Sequence, residues 1–137
     1  MALRSAMLDT DILTAVMRQD PTVTSKAQAY LKEHHRFHFS IITQYEILRG
    51  LKAKGATKQL AVFENFCSQN TILSLSEEII SKAAEIYADL RKRGELIGDA
   101  DILIAATAIV NKLGIVTNNE KHFQRISELH VENWLQA

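Results

Sequence analysis

The chain has 137 residues, 47% of them hydrophobic and 23% charged, with five glycines and one proline. That length supports one core rather than two, and the composition excludes a disordered tail, a collagen repeat and a coiled-coil array. Sixteen basic and sixteen acidic side chains cancel to a formal charge of zero, so no global field draws the protein toward nucleic acid or an anionic membrane, and any polyanion has to be met locally.

The single cysteine, Cys67, has no internal disulfide partner and reads as core filler. The longest nearly apolar run, residues 102–110, is interrupted by Thr107 and is too short to span a bilayer. The apolar residues after Arg4 stop at Asp9, which leaves no signal-peptide core. The expectation is one cytoplasmic domain over residues 1–137 with no membrane segment.

In chain order, short runs rich in Ile, Val, Leu and Phe alternate with longer stretches of helical period, the pattern of an α/β fold with a mostly parallel sheet. Strands are expected over residues 3–8, 37–42, 71–75 and 115–117, with a fifth near 129–131. Asp20 can N-cap a helix with Pro21 at its first position, continuing through Val23 and Leu31 to about His34. Between Ser76 and Gly94 the apolar residues Ile79, Ala83, Ile86, Tyr87 and Leu90 share one face. Glu77 and Glu78 fall in the first turn of that helix and Arg91, Lys92 and Arg93 in its last, matching the helix dipole. A further helix runs from about Asp99 to Leu113, its alanines allowing close packing, and is expected to end on Gly114, since glycine tolerates positive φ.

In a parallel sheet, the loops beyond the carboxyl ends of the strands form the ligand-binding edge. Asp9 directly follows the first strand, and Glu46 lies in the opening turns of the helix after the second. Asp101 opens the helix that returns through a short connection to the strand at Ile115. That helix therefore runs antiparallel to the strand and begins at the same edge. Asn119 follows that strand. Three carboxylates at one edge would repel each other and resist ionisation unless a cation neutralised them. With oxygen donors only, the cation expected is Mg²⁺ or Mn²⁺ rather than Zn²⁺. Such an ion can activate a water and screen a phosphodiester during in-line attack.

Each of these residues also has a plainer role open to it. Asp9 or Asp11 could cap a helix, Glu46 could pair with Arg49 at i,i+3, Asp101 could complement a helix dipole, and Asn119 could be a turn residue. Their joint placement at one edge is what points to a site. Asp11 and Asp99 are given supporting or capping roles.

Four motifs stand in order along nearly the whole chain: Met7-Leu8-Asp9-Thr10-Asp11-Ile12-Leu13; Glu46 followed by Leu48 and Gly50; Gly98-Asp99-Ala100-Asp101-Ile102-Leu103-Ile104-Ala105-Ala106; and Val116-Thr117-Asn118-Asn119-Glu120-Lys121-His122-Phe123. Together they resemble the PIN-domain ribonucleases, specifically the VapC toxins of type II toxin-antitoxin systems. The resemblance implies a three-layer α/β/α domain with a five-stranded parallel sheet and endonucleolytic RNA cleavage dependent on Mg²⁺ or Mn²⁺. It also implies homodimers inhibited by a cognate VapB-like antitoxin, with operator DNA bound only through the toxin-antitoxin complex. Carried over residue by residue, Asp9, Glu46 and Asp101 would be metal ligands and Thr117 would orient the pocket. Asn119 stands where many relatives have a fourth aspartate and others have asparagine. An amide can coordinate through its carbonyl oxygen but brings no charge, which favours one tightly held ion with a second arriving on substrate phosphate.

Several other features are assigned plainer roles. His34, His35 and His38 straddle a helix end and a strand start, so their side chains should diverge, and a surface or interface role is expected. His122 lies near the acidic edge and could touch a phosphate, with packing beside Phe123 the plainer role expected of it, and Tyr30 and Trp134 read as core or interface residues. Arg49, Lys52, Lys54 and Lys58 form a better RNA-contact stretch than Arg91 to Arg93, because they follow the helix that carries Glu46. Asp9-Thr10-Asp11 also suits the nucleophile motif of haloacid-dehalogenase-like phosphatases, but Leu13 stands where Thr or Val is usual and no lysine motif follows at suitable spacing. A receiver domain needs an aspartate ending a central strand, and neither the second nor the third strand ends in one. The non-enzyme alternative is a PIN-like binding module that acts with its antitoxin on operator DNA, its acidic edge receiving an arginine from the partner.

Overall fold

A computed structural model of the chain describes residues 3–136. Strands Ala6–Leu8 (β1), His38–Ser40 (β2), Thr71–Leu73 (β3), Gly114–Val116 (β4) and Val131–Glu132 (β5) form one sheet. Its order is β3-β2-β1-β4-β5, and every neighbouring pair is parallel. The helices are Thr10–Met17 (α1), Pro21–His34 (α2), Ile41–Lys54 (α3), Thr57–Gln69 (α4), Glu77–Lys92 (α5), Asp99–Val110 (α6) and the single turn Glu120–Phe123 (α7).

Alternation along the strands divides the core into two layers. Met7 and Ile115 pack on one face with Ile79, Ile86 and Leu90 of α5 and Ile104 and Ala108 of α6. Ala6, Leu8, Phe39 and Val116 pack on the other face with Ile12 and Leu13 of α1, Val23 and Tyr30 of α2, and Phe63 of α4. Both faces of the central strands are covered, so β1 and β4 are buried at every residue, as a parallel sheet requires. The result is the three-layer α/β/α architecture.

The helix signals read from the sequence hold at their starts. Asp20 accepts a hydrogen bond from the Thr22 amide at 2.9 Å with Pro21 at the first helical position. Ser76 caps α5 by accepting from the Ile79 amide at 3.2 Å. The strands are shorter than expected because caps and turns end them. Ser40 accepts from the Ile42 amide at 3.0 Å, which turns the chain into α3 at Ile41, inside the segment expected to be strand. β1 begins only at Ala6, β3 ends at Leu73, and β5 lies at Val131–Glu132 rather than 129–131.

The role expected of Gly114 is corrected. Helix α6 ends at Val110, and the left-handed residue of the following turn is Lys112, at φ 58°. Gly114 opens β4 instead. A Cβ there would lie 3.2 Å from both the backbone oxygen and Cδ2 of His130, so glycine serves close backbone approach.

Tyr30 is buried, and its hydroxyl accepts from the Ala6 amide at 3.1 Å and donates to the Ala6 carbonyl at 3.0 Å, tying α2 to β1. Trp134 is buried with its ring centroid 5.7 Å from that of Tyr30. Cys67 is half-buried at the margin of this layer, not inside it. The histidines take separate positions: His34 meets the Leu3 carbonyl at 2.8 Å, His35 ends α2 at φ 71°, and His38 lies in β2. Among the described residues no helix is long and apolar enough to cross a membrane.

Candidate active site

From β1 the chain steps outward to β2 and β3 on one side and returns to β4 and β5 on the other, so the loops leaving β1 and β4 part at a topological switch point. Asp9 and Thr117 sit on the two sides of that parting. The Asp9 amide donates to the Val116 carbonyl at 2.9 Å, extending the ladder one residue beyond β1. The Thr117 hydroxyl donates to Asp9 Oδ2 at 2.8 Å and accepts from the Asn119 amide at 2.9 Å. Asp9 Oδ1 accepts from the Thr10 amide at 2.8 Å as the cap of α1, so the plainer capping role and a place at the edge are combined in one carboxylate.

Asp9 is only 7% exposed. Burial pushes its carboxyl up to about 7, with the Asp11 and Asp101 charges adding to the rise and the hydrogen bonds from Thr117 and Thr10 opposing it. Asp11 accepts from the Ile12 amide at 2.7 Å and from the Asn118 amide at 3.1 Å, joining the loops after β1 and β4 in a supporting role.

Glu46 approaches from α3. The Thr10 hydroxyl donates to Glu46 Oε1 at 2.6 Å and, having spent its one proton, accepts from the Thr43 hydroxyl at 3.1 Å. Glu46 is not paired with Arg49, whose guanidinium carbon instead lies 5.2 Å from the centroid of the Tyr45 ring.

Asp101 is the third residue of α6 and is half-buried, with Oδ2 3.3 Å from Nδ1 of His122. That ring nitrogen is also 2.8 Å from Nδ2 of Asn119. His122, expected near this edge but packing beside Phe123, faces the acidic side instead. Phe123 enters the core fully buried, whereas the adjacent His122 turns to the acidic edge. The available signal was its spacing of three from Asn119, which places both on one side of a helical turn.

Asp9 and Asp101 thus act on each other electrostatically, and Glu46 is joined to them through Thr10. Among the described residues, no three His, Cys, Asp or Glu side chains already stand in an array that would hold an ion. Of the two basic stretches, Arg93 is engaged by Asp89 at 2.8 Å and Glu95 at 2.6 Å.

The sequence matches the PIN domain family over residues 6–129. The chain belongs to the PIN-domain family. Within it, the chain is 35% identical over 131 residues to a protein named Ribonuclease VapC2 from Haemophilus influenzae, covering 94% of this chain and 97% of that one. It is 42% identical over 89 residues to Ribonuclease VapC1 from Methanocaldococcus jannaschii, an alignment spanning 65% of this chain and 63% of that relative. Among solved structures, VapBC2 from Rickettsia felis bound to a DNA fragment from its promoter superposes with a TM-score of 0.83 at 29% identity, covering 94% of this chain and 98% of that one. The shared fold accounts for the strand order.

Proposed function

We propose that this PIN-domain protein is a VapC-type endoribonuclease, the toxin of a toxin-antitoxin pair, which hydrolyses RNA phosphodiester bonds with Mg²⁺ or Mn²⁺ held by Asp9, Glu46 and Asp101. The observation that carries the reading is the Asp9 carboxylate, buried at an edge where Thr117 holds one of its oxygens and Thr10 links it to Glu46. A hard divalent cation fits that environment, because the candidate ligand atoms are all oxygens and the ion's charge favours the ionised form that burial opposes. When bound, the ion supplies a more acidic water and charge screening at the phosphodiester.

The chain's own residues do the positioning. Thr117 fixes one oxygen of Asp9 and Thr10 fixes one oxygen of Glu46, each through a hydroxyl already committed to a second partner. His122 faces Asp101 and is itself met by Asn119, and its partly exposed ring is the group available to meet a phosphate oxygen. The Rickettsia felis neighbour is a VapB complex on promoter DNA. On that likeness, this chain pairs with a VapB-like antitoxin and reaches operator DNA through the complex, and the family resemblance adds homodimers.

The test is incubation with total RNA in the presence of Mg²⁺, of Mn²⁺ or of a chelator. Cleavage is expected only with metal, and Asp9→Ala, Glu46→Ala and Asp101→Ala should each lower it by about a hundredfold or more while circular dichroism stays unchanged. Cleavage in chelator, or undiminished cleavage by all three variants, would exclude the reading.

A further inference from the structure

Residues 95–98, between α5 and α6, have no regular structure, yet they deliver Asp99 and Asp101 to the catalytic edge. Their main chain is held from outside. Arg125, two residues beyond α7, donates from Nη1 to the Glu95 carbonyl and to the Leu96 carbonyl, each at 3.1 Å. Arg93 braces that arginine. Its Nη2 donates to the Arg125 carbonyl at 2.6 Å and to Asp89 at 2.8 Å, and its Nη1 reaches Glu95 Oε1 at 2.6 Å. At the other end the Arg125 amide donates to the His122 carbonyl at 3.3 Å, closing the path to the ring that meets Asp101. Ile97 and Ile126, beside the two tied segments, are buried in the same apolar layer.

The Nη1 group of this partly exposed guanidinium is committed to two main-chain carbonyls of the loop. Both bonds leave the same nitrogen, whose two N–H groups lie in the guanidinium plane and are shared between carbonyls of successive residues. Resting on the ribonuclease reading, we propose that Arg125, braced by Arg93, is a positioning residue that ties the loop before α6 to the segment after α7 and so sets the spacing of Asp101 and His122 for RNA cleavage.

The test compares Arg125→Ala and Arg125→Lys with the unaltered chain. Steady-state cleavage of one RNA oligonucleotide in Mg²⁺ is read alongside the ring-nitrogen resonances of His122 and amide exchange over residues 97–100 in metal-free protein. Arg125→Ala should lower kcat about tenfold to a hundredfold with KM changed less than about twofold, because misplaced groups cost turnover more than binding. It should also shift the His122 resonances and speed exchange in the loop, and Arg125→Lys should recover part of each effect.

A raised KM with unchanged kcat and a weaker salt dependence would make Arg125 a phosphate contact and overturn the proposal. Unmoved His122 resonances beside a fallen kcat would overturn it too. If the unaltered chain cuts no RNA, the ribonuclease reading fails and the catalytic part of the proposal fails with it, while the tie itself stands or falls on the resonances and the exchange. Should Arg125→Ala not fold, Arg93→Gln removes the brace at a more exposed side chain and is read the same way, with smaller shifts expected in the same direction.

Discussion

Asp9 is one of two neighbouring groups, Asp11 the other, whose carboxyl pKa is raised by burial and so ties the stability of the metal-free protein to pH. Its folded-state pKa of about 7 lies above the ordinary value of 3.8, so the folded chain keeps a proton that the unfolded chain releases between those values. The stability associated with this group is fully present below about pH 4, declines as pH rises toward 7, and is lowest above 7. In Asp9→Asn the carboxamide occupies the same volume without titrating, and a divalent ion reverses the trend by favouring the charged form. Calorimetric melts without divalent ions should show the unaltered chain losing more Tm than Asp9→Asn between about pH 4.5 and about pH 7.5. Equal slopes for the two would contradict the assignment. Asp9 and Asp101 were legible in the sequence because each adjoins a clear element start. The place of His122 near the edge was legible but its direction was not, since an apolar neighbour at Phe123 gives no indication of which of two adjacent side chains turns inward until the turn of α7 is in place.

At the scale of elements, caps and amphipathic faces were readable and strand ends were not. α2 and α5 begin where Asp20 and Ser76 place them because a cap is a bond between near neighbours in sequence. A strand ends where its ladder partners or a competing cap end it, and Ser40 halts β2 in a segment that remains apolar through Ile42. Gly114 shows the same limit. The sequence offers a glycine near a helix end, and only the neighbouring backbone of His130 shows that it serves a close approach rather than a left-handed turn.

Beside the apolar packing of α2 on the sheet, the Tyr30 hydroxyl ties it to β1. Tyr30→Phe leaves the Ala6 amide and carbonyl without their Tyr30 partner inside the core. It should cost about 1–3 kcal/mol in chemical denaturation, with RNA cleavage per folded molecule unchanged, because Ala6 is at the opposite end of β1 from Asp9. A loss of kcat without a loss of stability would show that this contact reaches the site.

Across the whole molecule, function depends on a sheet that brings together residues more than a hundred positions apart, as the hydrogen bond between Thr117 and Asp9 does. With no net charge to attract RNA at long range, capture depends on local contacts, and occlusion of the acidic edge by a partner should be enough to silence the enzyme. Saturating cognate VapB-like antitoxin is expected to suppress metal-dependent cleavage of total RNA, measured on the same gel as the free toxin. Cleavage unaffected by saturating antitoxin would contradict occlusion of the pocket.

The strands in chain order, the parallel class of the sheet and the edge expected of Asp9, Glu46, Asp101 and Asn119 are legible along the chain, because periodicity, caps and short connections are local and directional, whereas helix α4 was not read from the sequence. Tertiary structure alone decided the rest. Which hydroxyl fixes which carboxylate, that His122 faces Asp101, and that Arg125 reaches across to the loop before α6 all follow from side-chain directions and long-range packing, which come into being only once the two apolar layers have closed on the sheet.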